Sequence, residues 1–257
     1  MAKDAPEAER ARLPAQTGRT PPLFYRRPVA LSPILHVDLA LEADGTCGFA
    51  RATNSIPLNA VEFGFAVRHF PIVFTVDSPT IPVAIVGTSK QRNLFVDDTG
   101  HWLEGVYLPA WVRRYPFIFL EQPGSDEFIL GIDEAATVLK RGGENRLFRS
   151  GKPTPVLERA VALCSEYQSA IAATRAFCKA LEDEGLLVEK EAGLEMTGGR
   201  SFRLTGFRVV DGKLLDKLDS KTFLRFRRRG WLVPIYLHLA SVANWAILVD
   251  LAAKRGP

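Results

Sequence analysis

Residues 67–74 read VRHFPIVF and residues 112–119 read VRRYPFIF. In each copy Val-Arg is followed by a basic residue, an aromatic and a proline, and then by an apolar trio ending in Phe. A residue that precedes proline is pushed out of the α region. The apolar pattern before the first copy (Ala60, Val61, Phe63, Phe65, Ala66) therefore predicts a helix that stops near Phe70. After the prolines, β-branched and aromatic runs predict buried strands over residues 71–76 and 116–121.

The correspondence continues beyond the strands. Each copy has a turn, a second apolar run (82–87 and 128–132), and a Leu-Phe pair before a glycine turn, Leu94-Phe95 and Leu147-Phe148. A helical pattern follows, near Gly105 in the first copy and from Thr154-Pro155 in the second, where Thr as N-cap and Pro at the first helical position form a start signal. The unit reads strand, turn, strand, Leu-Phe loop, helix. It predicts an internal duplication with pseudo-symmetry around one sheet, and places Arg68 and Arg113 at equivalent helix C-termini, where cations complement the exposed carbonyls.

Residues 154–184 carry an amphipathic pattern of helical period closed by Gly185, which predicts one long helix. Short strands about a Gly198-Gly199 turn predict a small hairpin, and Asp219 or Ser220 caps a helix that Gly230 ends. The stretch WLVPIYLHLASVANWAILVDLAA, 231–253, follows RFRRRG and is nearly long enough to span a bilayer. Pro234, His238, Asn244 and Asp250 interrupt it, at a cost in lipid, so a buried core helix is expected, with a membrane-surface role for residues 225–253 as the alternative. The fold class expected is α+β: an arm over 1–22, a duplicated part over 23–152, and a mainly helical part with the small hairpin over 153–257, packed as one globule.

With 257 residues, 47% apolar and 24% charged, the composition is that of a globular chain rather than a disordered one. Residues 1–22, rich in Ala, Pro and mixed charge, have no apolar period to offset the entropy of ordering. No continuous apolar run marks an export signal there, so a cytoplasmic location is expected. Cys47, Cys164 and Cys178 have no C-x-x-C spacing, and His36, His69, His101 and His238 show no one-turn pairing. Buried thiols are expected, with no disulfide framework, metal or cofactor. A net charge of +4 is too mild and too local, concentrated in Arg225, Arg227, Arg228 and Arg229, to imply nucleic-acid binding.

No catalytic signature is legible. His101 with Asp97 or Asp98 is the arrangement a hydrolase or transferase would use, if the side chains share a cleft; Asp133-Glu134 occupies the corresponding place in the second copy. Turn formation explains Asp97, Asp98 and Gly100 without chemistry. GTSKQRN, 87–93, lacks phosphate-loop spacing. The stretch HWLEGVYLPAWVRRYPF is the better candidate: Trp102, Tyr107, Trp111 and Tyr115 are suited to anchoring a protein or peptide partner, with Arg113 or Arg114 supplying forked hydrogen bonds. The alternative is a helix burying its aromatics on the sheet.

Several pieces, taken in order, resemble the bacterial SapC family: EFGFAVRHFPIVF, NLFVDDTGHWLEGVYLPAWVRRYPF, IDE, LFRSGKPTPVLERAV, FCKALEDEGLL and LTGFRVVDGKLLDKL, with a terminal apolar helix. The resemblance covers roughly residues 23–253. Its name derives from surface-layer gene clusters, and related members sit near outer-membrane uptake genes. The resemblance implies a non-catalytic accessory protein linked to the surface layer or to handling of a peptide or surface component. It brings no catalytic or binding residues with it.

Overall fold

The computed structural model describes residues 21–42, 45–122, 124, 127–196 and 200–255. Residues 1–20 of the expected arm and the Gly198-Gly199 turn lie outside the described residues. In chain order the elements are β1 (Pro28–Ala30), β2 (Leu39–Leu41), β3 (Ser55–Pro57), α1 (Phe63–Ala66), β4 (Ile72–Thr75), β5 (Pro82–Ile85), α2 (Ala110–Arg113), β6 (Phe117–Glu121) and β7 (Phe128–Asp133). They continue with β8 (Leu139–Arg141), β9 (Phe148–Arg149), β10 (Lys152–Pro153), α3 (Pro155–Asp183), β11 (Leu187–Met196) and β12 (Arg200–Val210). The chain ends in α4 (Gly212–Leu215), α5 (Ser220–Arg228), α6 (Leu232–Ser241) and α7 (Trp245–Arg255). Mixed helices and antiparallel sheets make the fold α+β.

Two compact units divide the chain, one of residues 1–46 and 114–168, the other of 47–113 and 169–257. In the first, a three-stranded sheet runs β1-β7-β6 beside the two-stranded pairs β2-β8 and β9-β10. Its core gathers Leu39, Phe117, Ile132, Leu147 and Phe148 around Leu157 and Cys164 of α3. Asp133 is fully buried and accepts hydrogen bonds from the backbone N–H groups of Arg26, Arg27 and Ala135 and from the Tyr115 hydroxyl. Four donors converging on one buried side chain satisfy its oxygens without water.

The second unit is built on a five-stranded sheet of order β11-β12-β4-β5-β3. Cross-strand partners share a face, so Ile72, Ala84, Ile56, Phe74 and Arg208 lie on one side. There the Phe74 ring stands 6.3 Å from Phe177 of α3 and 5.1 Å from His238 of α6. Val73, Val83, Ile85, Ser55, Thr75 and Phe207 form the opposite side.

Both repeated prolines do open strands, and each leads into an antiparallel hairpin, β4-β5 and β6-β7. The register repeats as well: Ile85 N–H donates to the Pro71 carbonyl at 2.9 Å and Asp133 N–H to the Pro116 carbonyl at 3.0 Å. The expectation of one shared pseudo-symmetric sheet is corrected, because the two hairpins belong to separate sheets in separate units. No helix begins at Gly105, which sits in a turn at φ 74°; only the single turn of α2 forms later. The hairpin is longer than expected, with strands of ten and eleven residues, and β12 extends the main sheet.

The expected long helix is present as α3, with Gly185 just beyond it at φ 63°. Residues 231–253 do not form a buried core helix. They break into α6, a 3-10 turn over Val242–Asn244, and α7, and over the apolar run only 28% is buried. The buried strip is Ile235, His238, Ser241, Asn244, Leu248 and Ala252. It is spaced by threes and fours, and three of its members are polar.

Candidate functional site: an aromatic–arginine patch and an open groove

Glu62 organises the residues singled out between 102 and 115. Its buried carboxylate accepts from Asn59 N–H at 2.8 Å, Ala110 N–H at 2.8 Å and the Tyr107 hydroxyl at 2.9 Å. This joins the start of α2 to the turn preceding α1. Tyr107 is thereby fixed; burial, with the Glu62 carboxylate beside it, pushes its hydroxyl well above the ordinary tyrosine value. Phe65 stacks on the Tyr107 ring at 5.4 Å and 18°, and the Arg113 guanidinium carbon stands 5.9 Å from the same ring centre. Arg113 Nε also donates to the Leu108 carbonyl at 3.1 Å.

Phe65 is 55% exposed and Val61 67%. Sequence periodicity assigns both to a core-facing helix, yet Val61 sits in a 3-10 turn over Ala60–Glu62, Phe65 in the single turn of α1, and both side chains are exposed. Their signal was available only in the spacing: Val61 and Phe65 are four residues apart, whereas the buried pair Phe63 and Ala66 is offset from them.

The other candidate residues are not gathered at this patch. Trp102 belongs to an aromatic cluster with Phe95 and Phe70, at 6.1 and 6.3 Å. Trp111 is half-buried on α2. Arg114 and Tyr115 are part of the first unit: Arg114 is buried over the Tyr167 ring at 4.3 Å, and Tyr115 bonds Asp133. Arg68 and Arg113 are not equivalent caps, because Arg113 folds back to the carbonyl before its helix while Arg68 is exposed beyond the end of α1. A single turn aligns too few peptide units to build much of a macrodipole for a distal cation to meet.

His101 and Asp97 meet through Thr99. The Thr99 hydroxyl donates to Asp97 Oδ1 at 2.6 Å and lies 2.8 Å from His101 Nδ1, while Thr99 N–H and His101 N–H also donate to Asp97 Oδ1. These bonds hold the Asp97 carboxyl below its ordinary value. His101 and Asp98 are exposed on this loop, and Arg51 binds the carbonyls of Asp97 and Asp98. The network closes a turn, as Asp and Thr side chains do.

A second feature lies on the side of the five-stranded sheet that carries Val73 and Phe207. A groove of about 520 Å³ has an apolar floor of Val73, Val83, Ile85 and Phe207 and a polar rim of Asn54, Ser55, Thr88, Lys90, Arg203 and Thr205. That sheet side carries the apolar Val73, Val83, Ile85 and Phe207 together with the hydroxyls of Ser55 and Thr75. The continuous apolar runs of β4 and β5 were legible as buried strands, but strand order, which brings β12 alongside β4, did not follow from the sequence.

A model of the SapC family matches residues 31–248. The chain belongs to the SapC family. No curated protein and no solved structure matches it. Within this SapC chain the IDE segment is the fully buried Ile132, the Asp133 hub and Glu134, whose carboxylate pairs with Arg27 and lies 3.1 Å from His36 Nε2. That segment holds the first unit together. The matched region also includes the Phe65–Tyr107–Arg113 stack and every residue lining the groove.

Proposed function

We propose that this SapC protein is a non-catalytic accessory protein that binds a polypeptide partner through the Val61–Phe65–Tyr107–Arg113 patch. The observation that carries the reading is the exposed Phe65 ring stacked on a tyrosine that the buried Glu62 locks in place. Aromatic and arginine side chains dominate binding energy at interfaces, and anchors held rigid beforehand lose little entropy on association. Arg113 beside Tyr107 suits an acidic side chain of the partner, which it meets with a forked donor. Family membership alone supports the further link to surface components.

A photo-crosslinking phenylalanine analogue in place of Phe65 tests this in extract of the native host. A discrete adduct is expected, lost when Arg113→Met is added and absent when the analogue replaces Val161, an exposed apolar residue of the first unit. Equal adducts from both positions, or none from position 65, contradict the reading. The convergence of cations and hydroxyls over an apolar floor supports a second site, the groove, for an amphipathic ligand with a negative group. Arg203→Gln weakens that binding and leaves the Phe65 adduct unchanged if the two surfaces act separately.

A further inference from the structure

The C-terminal helices are arranged with polar side chains inward and apolar ones outward. His238 Nε2 accepts from Val210 N–H at 3.0 Å, so Nδ1 carries the proton and donates to the Ile72 carbonyl at 2.8 Å. Ser241 accepts from Ile72 N–H, and Asn244 donates to the carbonyls of Val67 and Phe70. His238, Ser241 and Asn244 are therefore consumed by the protein's own backbone, while Asp250 is exposed. On the other side of the same helices Val233 is 63% exposed, Tyr236 52% and Val242 49%. Leu232–Arg255 is long and apolar enough to cross a membrane, but spanning breaks every one of these buried bonds.

Basic residues immediately precede this face along the chain. Arg227, Arg228 and Arg229 are exposed at the end of α5, and the chain passes through Gly230 directly to Trp231 and α6. The Arg229 guanidinium carbon lies 6.0 Å from the Trp231 ring centre, and that ring packs on the buried Phe226 at 5.2 Å. Cations, then a tryptophan, then an outward apolar face is the order in which a bilayer presents phosphates, interface and acyl chains. A second copy of the chain brings a like cluster of arginines, which the face does not complement.

We propose that α5, α6 and the Val242–Asn244 turn dock this protein on an anionic lipid bilayer, lying in the interface plane with Arg227 and Arg228 on lipid phosphates and Val233, Tyr236 and Val242 at the acyl boundary. Interfacial binding of this kind combines apolar burial with attraction to negative headgroups, and salt screens the latter. Each cation near such a surface contributes severalfold in affinity.

Co-sedimentation of the full chain with phosphatidylcholine vesicles, with and without phosphatidylglycerol, tests the proposal. Binding is expected with the anionic vesicles at low salt, falling at high salt. The Arg227→Glu/Arg228→Glu variant loses at least about ten-fold in partition coefficient. Val233→Ser/Tyr236→Ser, with side chains already in water, keeps the melting temperature near that of the parent and weakens binding at both salt concentrations. No sedimentation with anionic vesicles, or equal sedimentation of the parent and both variants, overturns the proposal. So does a dimer in sedimentation velocity that Val233→Ser/Tyr236→Ser converts to monomer, which assigns the face to a second copy. Neither variant touches the Phe65 patch, so the crosslinking result stands apart from this one.

Discussion

His238 shows how one side chain sets both geometry and pH response. Burial lowers its pKa from 6.5 to about 4, partly opposed by its hydrogen bond to the Ile72 carbonyl. Between those values the unfolded chain takes up a proton that the folded chain refuses. Stability from this residue is complete above about pH 6.5 and is lost as pH falls toward 4, by roughly 3 kcal/mol if no other group intervenes. Urea midpoints measured from pH 7 to pH 4.5 are expected to fall more steeply for the parent than for His238→Gln, and parallel slopes contradict the assignment. At Asp133 the prediction is steric and polar together. Asn in its place puts an NH2 group against donors, and Asp133→Asn is expected to cost about 2–4 kcal/mol in chemical denaturation. The thiols were legible from the sequence: all three cysteines are buried, and burial pushes Cys164 up to about 11. Slow reaction with a thiol reagent at pH 8 in the native state, against rapid reaction of all three in urea, checks this. The adjacent pair Arg113 and Arg114 was not legible, since one is exposed and the other buried in a different unit, and no periodicity separates neighbours at a unit boundary.

At the scale of elements, local signals were read well and pairings poorly. Proline fixed where β4 and β6 begin, because it constrains the residue before it, and Thr154-Pro155 with Gly185 bounded α3 at both ends. Which sheet each hairpin joins depends on contacts distant in sequence, and those the local pattern does not contain. The stretch 87–93 belongs to the same class. Its spacing does not fit a phosphate loop, and Gly87 has a structural reason instead: a Cβ at that position sits 1.7 Å from the Arg92 carbonyl oxygen. Backbone on both sides leaves no room to relax. Gly87→Ala is therefore expected to destabilise the second unit by more than about 3 kcal/mol, whereas Gly48→Ala, with nothing within 4 Å of the added carbon, shifts the melting temperature little. Similar melting temperatures for the two variants contradict the loop's close approach.

For the molecule as a whole, the decisive feature is which side of the C-terminal helices faces the sheet. Hydropathy ranks Val233, Tyr236 and Val242 as core and His238, Ser241 and Asn244 as interruptions; the fold reverses them. The reversal was present in the sequence as a three-residue spacing of the polar residues. It was unreadable without knowing that the backbone of residues 67–72 and Val210 supplies their hydrogen-bond partners. The patch at Phe65 follows the same logic on a smaller scale, since a buried polar anchor, Glu62, holds apolar groups outward. Single cysteines introduced in turn at Val233, Tyr236, Val242, Ser241 and Asn244, with the native thiols replaced by Ala or Ser, measure this arrangement directly through rates of reaction with a polar maleimide. Fast labelling at positions 233, 236 and 242 with protection at 241 and 244 is the result expected; protection at the apolar positions and fast labelling at the polar ones contradicts it.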